Sequence, residues 1–314
     1  PMASPSILRI NAGSGFGLAV FMILFPQGSL SVSLLFSIAG AGLATLAIFF
    51  LAQAKGAGRG PVFLALAGTA IGAVRHGGFI PWDDDVDVCM PREDYERFLA
   101  EAPAVIAPAF EVISSGSHPD YPRTFGVLGL VGSTFVPGVA RNRSFRMPLG
   151  IDLFPLDPIP DDPKAFRRQA RATWVWGRLL FLLGTPTPDI PLRAPLKQVA
   201  SSIMQVVHWS LRAARVRPST LQRRWERAAR RYETSASSRL GDFSTQDPGR
   251  WSASLEELFP ARRVPFEDIT VMTARDDDAI LRRGYGDYMQ LPPEEERVNH
   301  QASTVVLGPN APVS

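Results

Sequence analysis

Trp82-Asp83-Asp84-Asp85-Val86-Asp87-Val88 packs four carboxylates into five positions. Read as a strand, whose successive side chains alternate faces, it puts Asp83, Asp85 and Asp87 on one face and Asp84, Val86 and Val88 on the other. Aligned carboxylates are oxygen ligands for a hard divalent cation, and magnesium (or manganese) is the natural choice where phosphate is present. A second strand-like stretch, Gly150-Ile151-Asp152-Leu153-Phe154-Pro155-Leu156-Asp157, sets a carboxylate among apolar residues. Asp152 on a neighbouring strand would complete a metal site begun by Asp85 and Asp87, or, instead or in addition, accept the proton of an attacking hydroxyl. Asp83 would join the metal or hold a ligated water. Two metals bridged by shared carboxylates form a clamp for in-line displacement at phosphorus.

Two plainer readings compete. Acidic runs are commonly solvated turns or helix starts, but the interleaved valines and the preceding Phe79-Ile80-Pro81-Trp82 oppose simple exposure. A calcium loop of the EF-hand kind requires glycine at its sixth position and glutamate at its twelfth; counted from Asp83, this chain has Val88 and Asp94 there.

The elements around the run must supply phosphate contacts. Within GTAIGAVRHGG, Gly68–His76 reads as a turn entering a helix. Glycines allow close backbone approach, so Gly68 and Thr69 would bring backbone and hydroxyl donors to a phosphate. Arg75 is a two-pronged donor for one. His76 would offset pyrophosphate charge, or serve as a structural hydrogen bonder. Pro61–Leu66 predicts a short strand and Ile80–Met90 the acidic strand. A helix follows over Arg92–Ala100, its early acidic residues suiting the positive helix start. Strands are predicted at Phe110–Ser114, within Thr124–Val136 and at Leu149–Leu156. The pattern then becomes helical over Ala165–Leu183 and Leu196–Arg215, and over Thr220–Thr234 with Ser219 as its cap. Asp276-Asp277-Asp278 reads as the acidic start of a helix ending near Gly284 rather than a second metal site. Residues 301–314 read as a loose tail.

These residues carry a resemblance. The run from Gly68 to Asp87, GTAIGAVRHGGFIPWDDDVD, resembles the signature of the LicD and fukutin-related family. The likeness continues through Arg92-Glu93-Asp94-Tyr95-Glu96-Arg97-Phe98 and the Gly150–Asp157 stretch. It returns at Tyr285-Gly286-Asp287-Tyr288-Met289, Leu291-Pro292-Pro293 and His300, and is weak over roughly 165–250. It implies an α+β, nucleotidyltransferase-like fold over residues 61–300, a mixed sheet with flanking helices and a helical insertion near 164–240. It also implies a phosphotransferase moving a phosphocholine or phosphoribitol type of group from a CDP-linked donor to a glycan or related polymer, with a divalent metal. Asp85, Asp87 and Asp152 then carry catalysis, Asp83 joins them on the metal, and Gly68, Thr69, Arg75 and His76 hold the donor. Two alternatives stay open: a nucleotidyltransferase attaching NMP to its acceptor, and an inactive membrane-associated scaffold. Fukutin-related members can carry a cysteine-rich zinc loop, which one cysteine, Cys89, cannot build.

Composition sets the remaining bounds. The 314 residues can bury a sizeable core, and the single cysteine excludes an intrachain disulfide framework. The formal charge is +3, with no helix-turn-helix, zinc-finger or aromatic RNA-binding signature, so no nucleic-acid partner is expected. Residues 11–54 contain no charge. Leu30–Ala52 is long enough for one helical crossing, alone or in a hairpin, although a deeply packed core helix would read the same way. The expectation is a membrane-associated protein, on either the cytoplasmic or the Golgi-lumenal face. Arginine-rich helices with interleaved tryptophan between about 165 and 231 suit an anionic membrane surface or an ordinary solvated basic face.

Overall fold

The computed structural model describes residues 62–309, apart from 84, 107, 138–142, 144, 187, 189–193, 236 and 298–301. Leu30–Ala52, Asp84 and His300 therefore lie outside the described residues. Among the described residues, no helix is long and apolar enough to cross a membrane.

The fold is mixed α+β. Its first strand, β1 (Leu64–Ala65), leads into a short helix α1 (Ala67–Ile71) that continues as one π-helical stretch, Gly72–His76. Gly77 closes that stretch at φ 67°, a left-handed conformation that glycine adopts without steric cost. Strand β2 (Asp87–Pro91) runs straight into α2 (Arg92–Glu101). Three strands follow, β3 (Phe110–Ile113), β4 (Gly126–Leu130) and β5 (Thr134–Pro137), and then the long strand β6 (Gly150–Pro158). A helical layer comes next: α3 (Pro163–Gly184), α4 (Leu196–Ala213) and α5 (Pro218–Ala229). The chain returns through β7 (Arg239–Gly241), β8 (Ser252–Ser254), a one-turn helix α6 (Leu255–Leu258), the hairpin β9 (Arg262–Phe266) and β10 (Ile269–Thr273), α7 (Asp277–Tyr285) and β11 (Ala302–Val306).

The main sheet has the order β1-β2-β6-β4-β3, extended by β7 and β8 from the far end of β6. Only β2 and β6 are parallel; every other pairing in it is antiparallel. Alternation separates its faces. Val88, Met90, Leu128, Leu130, Ile151 and Leu153 pack with Phe63 and with Tyr95 and Phe98 of α2. Cys89 and Leu156 point the other way, against Leu64, Leu240, Ala253 and Leu258. Cys89 is thus a small buried core residue, and burial pushes its thiol up, out of the reactive range.

Several sequence expectations need correction. Ile80–Met90 is not one strand: the ladder begins at Asp87, because Pro81 and Trp82 form a turn in which Asp83 N donates to Ile80 O at 3.0 Å. Asp83 and Asp85 therefore do not share a face with Asp87 by strand alternation. Ser219 does not cap α5, which starts at Pro218 with Arg217 before it and no side-chain cap. The tail is not loose over Ala302–Val306, whose β-branched residues pair antiparallel with β5. The reading of Asp276–Asp278 as a helix start stands: Asp276 accepts from Ala279 N, and Asp277 pairs with Arg262.

The helical layer is tied to the sheet by polar contacts in dry surroundings. Asp162 caps α3 through Lys164 N and Ala165 N. Fully buried Gln169 donates through Nε2 to Pro158 O and Ala229 O, joining α3, β6 and α5. Arg92, the first residue of α2, makes two hydrogen bonds of 2.8 and 2.6 Å to Asp157 of β6, and both side chains are buried. Removing one partner strands a buried charge. Arg92→Met or Asp157→Asn should each cost about 3–5 kcal/mol, whereas Arg92→Met combined with Asp157→Leu should recover most of that loss. Urea unfolding of the three variants checks this.

Candidate active site

The cleft is built where β2 and β6 begin. In-register parallel pairing sets Asp87 opposite Asp152, and opposed residues in a ladder present their side chains on the same face. Two backbone contacts fix the start of β2: Asp87 N donates to Thr69 Oγ1 at 2.9 Å, and Leu66 N donates to Asp87 O at 3.0 Å. Asp152 N donates to Val86 O at 2.9 Å. Asp83 reaches the same place from the irregular segment ahead of β2. Its carboxylate lies against Gly68, where an added Cβ would fall 2.1 Å from Asp83 Oδ2. Glycine at 68 is thus the condition for that carboxylate to stand there.

Asp83, Asp85 and Asp87 line one cleft of about 690 Å³, with Gly68, Arg75 and Trp82 on one side and Tyr285, Asp287 and Tyr288 on the other. Asp152, one strand over and half-buried, is not among the residues lining it. The Asp87 carboxyl is held well above the usual carboxylate range by burial first, and then by the charges of Asp85, Asp152, Asp83 and Asp242. Every charged group acting on it is acidic. Tyr285 feels the same field: burial, followed by Asp83, Asp87 and Asp85, pushes its hydroxyl up to about 12.

Opposite charge sits at the rim. Arg75 donates through Nη1 to the carbonyls of Tyr288 and Gln290, which holds the 288–290 loop to the π-helical stretch. Arg297 lies 5.2 Å over the Trp82 ring and donates to Pro292 O at 2.8 Å. Burial and, after it, Arg297 lower the Arg75 pKa, so the two guanidiniums are within electrostatic reach of each other. Paired guanidiniums beside a carboxylate cluster suit a pyrophosphate bridging both.

The structure brings together Gly68, Arg75, Asp83, Asp85 and Asp87 in the cleft, with Asp152 beside Asp87. Thr69 is buried, and its hydroxyl braces the acidic strand. His76 is exposed, accepts a long hydrogen bond from Arg75 Nε at 3.4 Å and has a lowered pKa, through burial and then Arg75. Among the described residues, no group of three or more His, Cys, Asp or Glu side chains is placed so that it could hold a metal ion. The donor set fits a different kind of site. Magnesium is commonly held by one or two carboxylates with substrate phosphates and waters completing its shell. Asp85 and Asp87 in an open cleft, under surplus negative charge, match that chemistry.

Sequence reasoning missed Arg297 and Asp242. Trp82 and Arg297 are far apart in the chain, and nothing local marks their contact. Asp242 follows β7 and is buried, with Oδ1 accepting from Ser244 N at 2.7 Å and Oδ2 without a partner. Its only local signal is a carboxylate in an apolar stretch, Leu240-Gly241-Asp242-Phe243.

The comparisons divide the chain. The family model described as LicD/FKTN/FKRP, nucleotidyltransferase domain, matches residues 61–113, and the FecCD transport family model matches residues 1–78. The lipopolysaccharide cholinephosphotransferase LicD of Haemophilus influenzae is 27% identical over 244 residues, covering 74% of this chain and 84% of that protein. The iron(3+)-hydroxamate permease FhuB of Bacillus subtilis is 39% identical over 71 residues, and the ferric enterobactin permease FepD of Escherichia coli 38% over 77. This chain spans only 18% and 23% of those two permeases.

Burial pushes Asp242 up to about 7. Its folded pKa exceeds the unfolded value, so the native state loses stability as pH rises between about 4 and 7. Asp242→Asn should therefore match the parent near pH 4 and exceed it by about 2–4 kcal/mol above pH 8, measured by chemical unfolding at the two pH values. The acidic run, the glycine that admits Asp83 and the strand bearing Asp152 thus meet in a chain that is similar to a LicD protein over most of its length and to the LicD/FKTN/FKRP model over residues 61–113.

Proposed function

We propose that this chain is a phosphotransferase that moves a phospho-alcohol from a CDP-linked donor to a hydroxyl of a glycan or related polymer. The observation carrying this reading is the convergence of Asp83, Asp85 and Asp87 on one cleft, with Asp152 in register beside Asp87. The likeness to a lipopolysaccharide cholinephosphotransferase over most of both chains supports the reaction class. The domain description of the matching family model supports a nucleotidyltransferase-like core.

Asp85 and Asp87 would hold magnesium, with Asp83 and Asp152 at its edge; when bound, the metal neutralises charge on the donor pyrophosphate. The remaining work falls to the chain. Arg75 and Arg297 offset phosphate charge at the rim. Gly68 leaves room for the Asp83 carboxylate against the backbone. Asp152 takes the proton of the acceptor hydroxyl as that oxygen attacks the distal phosphorus; the phosphoanhydride bond breaks and CMP leaves. Catalysis is then mainly positioning and electrostatic stabilisation.

The helical layer supports a membrane-surface location. Val199, Ile203, Val206 and Trp209 are exposed along the outer side of α4, while Met204, Val207 and His208 are turned inward. Exposed Arg212, Arg215 and Arg217 follow. An apolar strip beside arginines suits an anionic lipid surface.

Two measurements test these readings. Full-length protein with magnesium and CDP-choline, CDP-ribitol or CDP-glycerol should release CMP, and Asp85→Asn or Asp87→Asn should lower that rate about 100-fold or more. Pyrophosphate release from CTP in place of CMP would move the assignment to nucleotidyl transfer. The parent should co-sediment with vesicles containing phosphatidylglycerol, and the double variant Ile203→Glu, Val206→Glu should lose most of that binding; retention at parental levels removes α4 from the docking surface.

A further inference from the structure

We infer that a second cavity, between α3 and the loops that precede β4 and follow β7, binds a monosaccharide carrying a phosphate or carboxylate group. The cavity measures about 250 Å³, and no Asp or Glu lines it. Pockets for drug-sized ligands run from about 300 Å³ upward, so the occupant is limited to about one ring.

Four observations fix its chemistry. The Arg123 guanidinium lies 5.4 Å over the Phe125 ring, and that of Arg178 lies 5.8 Å over the Trp174 ring. Among the described residues, neither arginine has an ion-pair partner. Stacked guanidiniums keep their planar N–H fork free for an oxyanion. Trp225 is only 1% exposed, and its Nε1–H, a donor with no acceptor capacity, has no partner. Finally, Gly177 of α3 lines the cavity with no side chain, and a Cβ there would take up space beside Trp225, 3.7 Å from Nε1.

These demands select the ligand. An apolar molecule would displace water from two guanidiniums without replacing its hydrogen bonds. A cation would be repelled. A neutral sugar could stack on the rings but would give the arginines no counter-charge. A sugar bearing an anionic group meets both demands: ring C–H groups on the aromatic faces and the anion on the arginines.

Position gives the cavity its meaning. Phe125 packs on Phe154 with ring centroids 4.4 Å apart. Phe154 lies two residues beyond Asp152 on the same face of β6, roughly 7 Å along the strand. The cavity thus adjoins the aspartate pair from the side away from Arg75. On the phosphotransferase reading, it seats an acidic sugar of the acceptor beside the residue that takes the hydroxyl proton.

The test is binding without donor or metal. Full-length protein is titrated calorimetrically with glucose 6-phosphate, glucose and inorganic phosphate. Glucose 6-phosphate should bind saturably, at least tenfold more tightly than either of the others. Arg123→Gln and Arg178→Gln should each weaken it tenfold or more, and Gly177→Leu should abolish it by filling the cavity. Asp87→Asn should bind like the parent, and circular dichroism and melting curves identify variants that fold. No saturable binding, equal binding of glucose or phosphate, or full affinity in a folded Arg123→Gln, Arg178→Gln double variant overturns the inference. Sugar-phosphate binding without CMP release would sink the transferase reading alone; CMP release without binding would sink the cavity alone.

Discussion

The parallel register of β2 on β6 is the constraint from which the rest of the site follows. It places Asp87 beside Asp152 near the start of two strands that otherwise bury Val88, Cys89, Met90, Ile151, Leu153 and Leu156. Carboxylates so placed repel one another and lose hydration, and Asp87 shows both effects in its raised pKa. Such an arrangement costs stability unless something cationic shares it. Proteins keep strain of this kind where function requires it. The fold holds the strands together further along, where the buried Arg92–Asp157 pair clamps the end of β6 to the start of α2.

Charge is graded across the molecule in a way that fits a reaction at phosphorus. Aspartates gather at the head of the sheet, Arg75 and Arg297 stand at the rim by Trp82, and Arg123 and Arg178 line a separate cavity beyond Phe154. A polyanionic donor entering between the first two groups meets donors on one side and carboxylates on the other. On the proposed reading, donor and acceptor would each have its own basic receptor, on either side of the acidic centre.

What the sequence disclosed was local chemistry, and what it concealed was long-range placement. Asp83, Asp85 and Asp87 stood out because carboxylates so close together are rare near apolar residues, and they do meet in one cleft. Their meeting has a cause other than strand alternation: a turn at Pro81–Trp82 aims Asp83 at Gly68. Elements set by periodicity, such as α2, α3 and β6, were legible within a few residues. The pairing of β11 with β5, the Arg297–Trp82 contact and buried Asp242 were not, since each depends on partners at least 80 residues away or on a surrounding core. Arg75 was legible as a cation but not as a clamp, because its partners are backbone carbonyls that carry no side-chain identity.

Residues 61–78 fall within both the LicD and the FecCD matches, and the described part of that stretch resolves the ambiguity in physical terms. Small apolar residues with glycine every few positions satisfy a transport helix and a cleft-lining turn equally well as a string of letters. In the folded chain, however, this stretch is short strand, single helical turn and π-helix. Three of its residues meet the acidic segment: Leu66 N donates to Asp87 O, Thr69 Oγ1 accepts from Asp87 N, and Gly68 leaves space for the Asp83 carboxylate. With five residues in its α-helical part and five in its π-helical part, the stretch is too short to cross a bilayer by itself. Ala67, Gly68, Ile71 and Arg75 instead form part of the wall of the carboxylate cleft.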